Sequence, residues 1–463
     1  MNMAIIIAST MSDSGKSTVV SGLVKLFSGI PFKAQNMSLN SYPTLDHGEI
    51  AFIQAYQAIS SGLNPERYMN PVLLKPDGRG IEIVFMGEPL GSFPAGYYYD
   101  EFLPRVWVKI KNLIRDEMVV EAAGGIEPNF VEKDITAVRL SRELNIPIIL
   151  TLDIDRGGAF TSALGAYFTL PPEVRKNLRG FLINKFRGEE KYLEPAIKWL
   201  EEKTGMKYMG YLPLFDEPLI MPEDSMNVKD FGEGDIEVSV ISYPYMSNFN
   251  EFSAFRNSNA SVRFVKKPSE ISKSDLIILP GSKNTLESLK FLVEKKFLDV
   301  IRKKQVLGIC GGFQIMGKKI VDPYNVEIKE RSVEGLGFLN VETVYEKDKI
   351  ISITETDAQV NGYEIRRGRI RYVNSQKPLF YITKRGSKEV SEPDGSESNN
   401  YLGYSVHGSL FSKGGQKILR EKFGIKIYTD SFEEEAKKDI ERVSYFISKF
   451  LHVDEIRDIY LGK

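Results

Sequence analysis

Ala4-Ile5-Ile6-Ile7-Ala8-Ser9-Thr10-Met11-Ser12-Asp13-Ser14-Gly15-Lys16-Ser17-Thr18 opens on an apolar run and ends on Gly-Lys-Ser. Successive apolar, partly β-branched residues suit a strand buried on both faces, as in a parallel sheet. Apolar residues at helical spacing follow in Lys16–Phe27. Strand, loop, Gly-Lys-Ser and helix is the context that a phosphate-binding loop requires. Its backbone N–H groups and the helix N-terminus would cradle phosphate oxygens. The candidate ATP contacts are therefore Thr10, Ser14, Gly15, Lys16, Ser17 and Thr18. Lys16 would reach the terminal phosphates, and the Ser17 hydroxyl would hold Mg²⁺. The first glycine of the usual pattern is missing, with Ser9 or Thr10 in its place.

Outward from this loop the alternation continues. Met118–Glu121, Pro147–Leu152 and Gly180–Asn184 are short and apolar, whereas Glu49–Ser60 and Tyr192–Lys203 read as helices. Strands alternating with helices predict an α/β fold, a parallel sheet covered on both faces. Glu121 ends an apolar strand and Asp46 lies in a loop before a helix, so both join Ser17 as candidate metal ligands. Asn184 also ends a strand, where its amide could read an adenine edge. Lys33 could share with Lys16 the neutralisation of a transferring phosphoryl group.

The pattern breaks over 225–236, which sets a first domain at 1–230. A second α/β set begins with Ile236–Ile241, Val262–Val265, Leu276–Leu279 and Val306–Cys310, giving a domain at 236–430. The helical segment 431–463 carries an apolar stripe expected to pack on the second domain. The Ser-, Glu-, Gly- and Asn-rich stretch Arg385–Asn400 reads as a mobile loop.

The one cysteine, Cys310, stands in Leu307-Gly308-Ile309-Cys310-Gly311-Gly312-Phe313-Gln314. Small neighbours permit the sharp strand-to-helix turn of a nucleophile elbow, with Cys in place of Ser. A thiol nucleophile needs a base. Of His47, His407 and His452, His407 follows a strand-like run and is the candidate.

A chain of 463 residues is too long for one core. A net charge of −1 provides no field for nucleic acid or an anionic membrane. No apolar run approaches the ~20 residues needed to cross a bilayer. A lone cysteine and the absence of a signal-like start suit a cytoplasmic protein with small-molecule partners.

With these pieces assembled, the chain resembles the cobyric acid synthase family of cobalamin biosynthesis over nearly its whole length. The resemblance rests on the phosphate loop, the Cys310 elbow and several ordered blocks. These are Pro31-Phe32-Lys33-Ala34-Gln35-Asn36-Met37-Ser38-Leu39-Asn40-Ser41, Met69-Asn70-Pro71-Val72-Leu73-Leu74-Lys75-Pro76, Asp153-Ile154-Asp155-Arg156-Gly157-Gly158-Ala159-Phe160, Asn184-Lys185-Phe186-Arg187-Gly188 and Glu223-Asp224. It implies a P-loop, dethiobiotin-synthetase-like domain followed by a class I glutamine amidotransferase-like domain. It implies ATP- and L-glutamine-dependent amidation of the b, d, e and g carboxylates of a corrinoid, adenosylcobyrinic acid a,c-diamide. ATP and Mg²⁺ would serve the first domain. Cys310 and His407 would release ammonia in the second, with Gly311 and the Gly281 loop holding the oxyanion.

The sister family, cobyrinic acid a,c-diamide synthase, shares these site residues, and a non-catalytic nucleotide switch could share the phosphate loop. Four departures stand out. The loop lacks its first glycine, and the run Glu121-Ala122-Ala123-Gly124-Gly125-Ile126-Glu127-Pro128-Asn129-Phe130 differs from the family's Glu-Gly-Ala-Gly. Arg366 stands where the family has His. Ser409 stands two residues after His407, where the wider amidotransferase class has an orienting acid, and this implies a sluggish uncoupled glutaminase.

Overall fold

Strand Ala4–Ser9 lies inside a six-stranded sheet of order Lys207–Pro213, Leu178–Phe186, Ile148–Asp153, Ala4–Ser9, Met118–Glu121, Ile30–Phe32, with every pairing parallel. The computed structural model describes residues 3–127, 131–215, 218–221, 223, 228–327 and 331–463. Residues 128–130 of the departing run, Asp224 and the 225–227 part of the expected boundary lie outside these. In the parallel register Ile7 faces Glu121, Ser9 faces Thr151, and Asp153 faces Asn184. The C-terminal strand ends therefore meet along one edge, the usual ligand edge of such sheets. Strands Gln35–Met37, Val72–Pro76, Ile81–Phe85 and Glu88–Phe93 form a separate small sheet in the first domain.

The second domain repeats the plan. Ala260–Val265, Ile236–Ile241, Leu276–Leu279, Gln305–Ile309 and Tyr401–Tyr404 are parallel, and Ser396–Ser398 closes the edge antiparallel. Leu279 faces Gly308 and Ile309 faces Tyr404, so the Gly281 loop, Cys310 and the His407 loop leave the sheet at one end. The long antiparallel pair Val341–Thr356 and Gly362–Tyr372 belongs to a further sheet of this domain.

Two expectations are corrected here. Arg385–Asn400 is not an open loop. Phe380–Arg385 pairs with Lys388–Asp394, and Ser396–Ser398 joins the main sheet. Ladder hydrogen bonds and alternation organise it despite its polar composition. The C-terminal helices Phe432–Phe450 and Val453–Tyr460 do not rest chiefly on the second domain. The buried stripe Ala436, Ile440, Val443 and Ile447 shares its cluster with Val19, Val20, Leu23 and Tyr56 of the first domain. Tyr56 donates a 3.0 Å hydrogen bond to Asp439. The stripe goes to the first domain because helices Lys16–Phe27 and Phe52–Ser60 offer it the matching apolar face. Second-domain contact includes Arg256, which lies 3.2 Å from the same Asp439 oxygen, the Asn257–Glu435 hydrogen bond and the edge-to-face pair Phe411–Phe432. One apolar cluster consequently runs through both domains. Among the described helices none is long and apolar enough to cross a membrane.

Candidate active site

At the first domain's strand ends, Gly15 caps helix Lys16–Phe27 with φ 91°. A Cβ there would lie 2.0 Å from Asn184 Nδ2, so both the left-handed backbone and the close approach demand glycine. Asn184 Nδ2 donates to the Ser14 carbonyl at 2.8 Å and its Oδ1 accepts from Lys185 N at 2.9 Å. These bonds tie Asn184 to the phosphate loop and leave one amide hydrogen and one oxygen lone pair uncommitted, the pair an adenine edge would use. Ser14 Oγ donates to the Met11 carbonyl at 2.9 Å, and Thr10 Oγ1 lies 3.0 Å from Ser162 Oγ. Thr18 sits half-buried on the helix. Ser9 has its hydroxyl bonded to the Met11 carbonyl at 2.6 Å and accepts from Lys16 Nζ at 2.8 Å. Lys16 also donates to the Gly124 carbonyl at 2.7 Å. Burial, reinforced by the neighbouring Lys33, lowers its ammonium pKa to about 8.

Ser17 Oγ donates to Glu121 Oε1 at 2.9 Å, and Lys33 Nζ reaches the same oxygen at 2.9 Å. Gln57 Nε2 holds the other oxygen at 2.8 Å. Burial alone would raise Glu121 and lower Lys33. The pair's attraction, with Glu223, outweighs it and holds the carboxylate low and the ammonium high. Glu223 lies 3.3 Å from Lys33 and accepts from Asn36 Nδ2 at 2.5 Å. It was legible only as part of a resembling block. Asp46 does not join this group. It sits on the turn between Ser41–Pro43 and Glu49–Ala51, its carboxylate 66% exposed and 2.7 Å from Arg67. The hairpin fixes it there, so proximity in sequence to a helix start misled. Among the described residues no cluster of three acidic, His or Cys side chains could hold a metal.

At the second domain's strand ends, Cys310 takes φ 49° and ψ −105° between strand Gln305–Ile309 and helix Gly311–Met316. That is a strained conformation for a non-glycine residue, as a nucleophile elbow requires. Its thiol lies close enough to the His407 ring to raise the imidazole pKa. A Cβ on Gly281 would lie 2.5 Å from His407 Cε1, and one on Gly311 2.6 Å from Ser282 N. The Gly281 loop and the elbow thus close on the imidazole, which only glycine at 281 permits. Tyr363 stacks on the ring and pairs with His407 through two backbone hydrogen bonds of 2.8 and 2.9 Å.

The acid absent from position 409 comes from elsewhere. Glu251, in helical turn Phe249–Asn257, places Oε1 2.8 Å from His407 Nδ1, and its Oε2 accepts from Gly408 N at 3.0 Å. Both side chains are 1% exposed. Burial would depress the imidazole, but Cys310 and Glu251 overcome it and raise the His407 pKa to about 10. The expectation of a sluggish glutaminase rested on the absence of an acid at position 409, and Glu251 takes that place from a distance. No local motif could have found Glu251, which lies 156 residues earlier. His47 and His452 are elsewhere: His47 Nδ1 is 3.1 Å from the Ile351 carbonyl, and His452 is half-exposed beside Glu455. Arg366 is committed to Glu364, at 2.9 and 2.5 Å, and leaves its neighbour Arg367 at the domain interface.

Geometry and family agree. The family model described as the CobQ/CobB/MinD/ParA nucleotide binding domain matches residues 5–227, and the CobB/CobQ-like glutamine amidotransferase domain matches residues 237–415. A cobyric acid synthase of Clostridium tetani is 38% identical over 429 residues, covering 87% of each chain. A probable cobyric acid synthase of Thermococcus kodakarensis is 36% identical over 471 residues, covering 95% of this chain and 96% of its own. A solved glutamine amidotransferase structure is 17% identical with a TM-score of 0.32, covering 40% of this chain and 98% of that one. A nucleotide-binding domain and a glutamine amidotransferase domain joined in this order, with more than a third of residues shared across most of the length, make this chain a member of the cobyric acid synthase family.

Proposed function

We propose that the protein converts the b, d, e and g carboxylates of adenosylcobyrinic acid a,c-diamide to amides, giving adenosylcobyric acid. The observation that carries this reading is the coexistence of the Lys16–Ser17–Glu121–Lys33 group and the Cys310–His407–Glu251 group at the strand ends of two domains of one chain. A carboxylate is a poor acyl donor. Transfer of the ATP γ-phosphoryl group to a carboxylate oxygen gives an acyl phosphate and ADP. Lys16 and Lys33 balance the charge that spreads over the moving group. Ser17 and Glu121 offer hard oxygen ligands that fit Mg²⁺, which would neutralise phosphate charge when bound. Ammonia then attacks the acyl carbon and phosphate departs.

In the second domain the Cys310 thiolate attacks the glutamine side-chain carbonyl. The oxyanion meets backbone N–H groups of Gly311 and the Gly281 loop. His407 protonates the departing ammonia and then activates water to release glutamate from the thioester. ATP, glutamine and the corrinoid are its small-molecule partners, and the cytoplasm is the compartment we assign. Mass analysis of the corrinoid after incubation with ATP, Mg²⁺ and glutamine should show four successive acid-to-amide conversions. No conversion, with cobyrinic acid lacking both prior amides accepted instead, would move the protein to the sister activity.

Glu251 fixes the tautomer of His407 and stabilises its imidazolium. Replacing it as Glu251→Gln should lower glutamine kcat/KM by roughly 10²–10⁴-fold, the scale seen when a buried orienting acid is neutralised. Because Glu251 raises the His407 pKa, its loss should also move the alkaline limb of the glutamine pH profile to lower pH. An unmoved limb would show that Glu251 does not act through the ring.

A further inference from the structure

The blocks Pro31–Ser41 and Met69–Pro76 have so far found only part of their use, through Lys33 and Asn36. Strand Val72–Pro76 carries Lys75 out of the first domain and into the wall of a small cavity that also touches Cys310 and Gln314. We propose that the head group of glutamine binds between the domains, its α-carboxylate held by Lys75, Lys283, Lys349 and Arg367, so that the first domain completes the glutaminase site. This rests on the reading of Cys310 as the glutamine nucleophile.

The first argument is charge. Lys75 and Lys349 each lie 2.6 Å from a carboxylate oxygen of Glu49. Lys283, Lys349 and Arg367 lie 2.9, 3.2 and 3.6 Å from Glu82. The four cationic side chains are 4–12% exposed, and the two carboxylates 0–3%. Glu327 lines the same cavity, its carboxyl pushed up by burial. Arg366 is neutralised by Glu364, and Arg79 lies 3.6 Å from Asp77. Cations thus outnumber carboxylates even with Glu327 ionised. Burial lowers the Lys75 ammonium pKa to about 8, so it is still charged at neutral pH, and four cations share the carboxylates of Glu49, Glu82 and Glu327. A buried excess of positive charge is costly, so the cluster is built to receive an anion. An α-amino acid supplies that carboxylate together with an ammonium group for Glu327.

Shape supplies the second argument. The cavity beside Cys310 measures about 30 Å³, room for one water. It shares Lys283 and Arg367 with an open cleft of about 560 Å³ walled by Arg79, Glu82 and Phe93 of the first domain and Lys347 of the second. That cleft has the volume of a small-molecule site. A head group at the junction directs its side-chain amide toward Cys310. Entry requires Lys283 and Arg367 to exchange Glu82 for the incoming carboxylate. Asn284, donating to the Asp77 carbonyl at 2.7 Å, and Asn248, accepting from Ser41 N at 3.0 Å, pin the two walls together.

The test compares L-glutamine, L-glutamine α-amide and ammonium as nitrogen donors for the full chain. Wild type should prefer glutamine over its α-amide by roughly 30-fold or more, the scale of a buried charge-assisted contact. Lys75→Met and Arg367→Met should each cut that preference at least about fivefold, with Arg367→Lys restoring most of it. A general folding defect lowers all donors together and leaves the preference intact, which would overturn the proposal. Wild type showing no preference between glutamine and its α-amide would overturn it without any variant. Wild type using ammonium but neither glutamine nor its amide would instead overturn the Cys310 glutaminase reading, and this inference with it.

Discussion

Cys310→Ala should abolish amidation from glutamine, by at least about 10³-fold, while amidation from ammonium salts persists. The size follows from the chemistry. Without the thiolate no thioester forms, and neither His407 nor the oxyanion amides supply another nucleophile at that carbon. The persistence follows from the layout, because Lys16, Ser17, Lys33 and Glu121 stand at the strand ends of the first domain's sheet, whereas Cys310 follows a strand of the second. Cys310 is buried, and alanine keeps its Cβ and removes a single sulfur atom. The measurement is product formation with each nitrogen source, at ammonium concentrations high enough to supply free ammonia. Loss of both activities would mean that the two sites are not separable. Retention of glutamine use would remove Cys310 from the chemistry.

Lys16→Ala should have the converse effect, lowering amidation from either nitrogen source by roughly 10³-fold, in the range that a phosphate-clamping cation supplies. Lys16 is 7% exposed and its ammonium bridges Ser9 and the Gly124 carbonyl, so it reaches across the mouth of the loop. The pKa of about 8 is lowered chiefly by burial and by Lys33, and phosphate oxygens between the two lysines would relieve both penalties. A merely structural role would weaken nucleotide binding and slow turnover together. A role in transfer lowers kcat with nucleotide affinity changed far less, and leaves basal glutamine hydrolysis in place. Nucleotide titration beside steady-state kinetics separates the two.

Much of this was legible along the chain. Gly15-Lys16-Ser17 behind a buried strand, and Cys310 between small residues, are local signals. The conformations they require are set by a few consecutive φ/ψ values, and the structure adopts them. Glu121 was also legible, since a carboxylate ending an apolar strand emerges at the shared edge of a parallel sheet. Asp46 rested on a different cue, a loop before a helix, and the structure places it on an exposed turn beside Arg67. Its position depends on a hairpin whose turn is held by Arg67, and no periodicity reports that. Asn184 was placed at the right edge, but its bond to the Ser14 carbonyl depends on how closely the phosphate loop approaches, which only packing sets.

Local sequence by itself determined the two parallel sheets, the phosphate loop and the thiol elbow, because strand periodicity and tight turns are properties of short segments. Tertiary structure alone decided which acid orients His407, which face receives the C-terminal helix, and how Lys75 of one domain comes to stand beside Cys310 of the other. Each of these joins residues far apart in the chain. Such pairs are chosen by burial, where an imidazole needs a carboxylate, an apolar stripe needs a matching face, and desolvated cations need an anion, and the chain can satisfy these demands from any distance along its length.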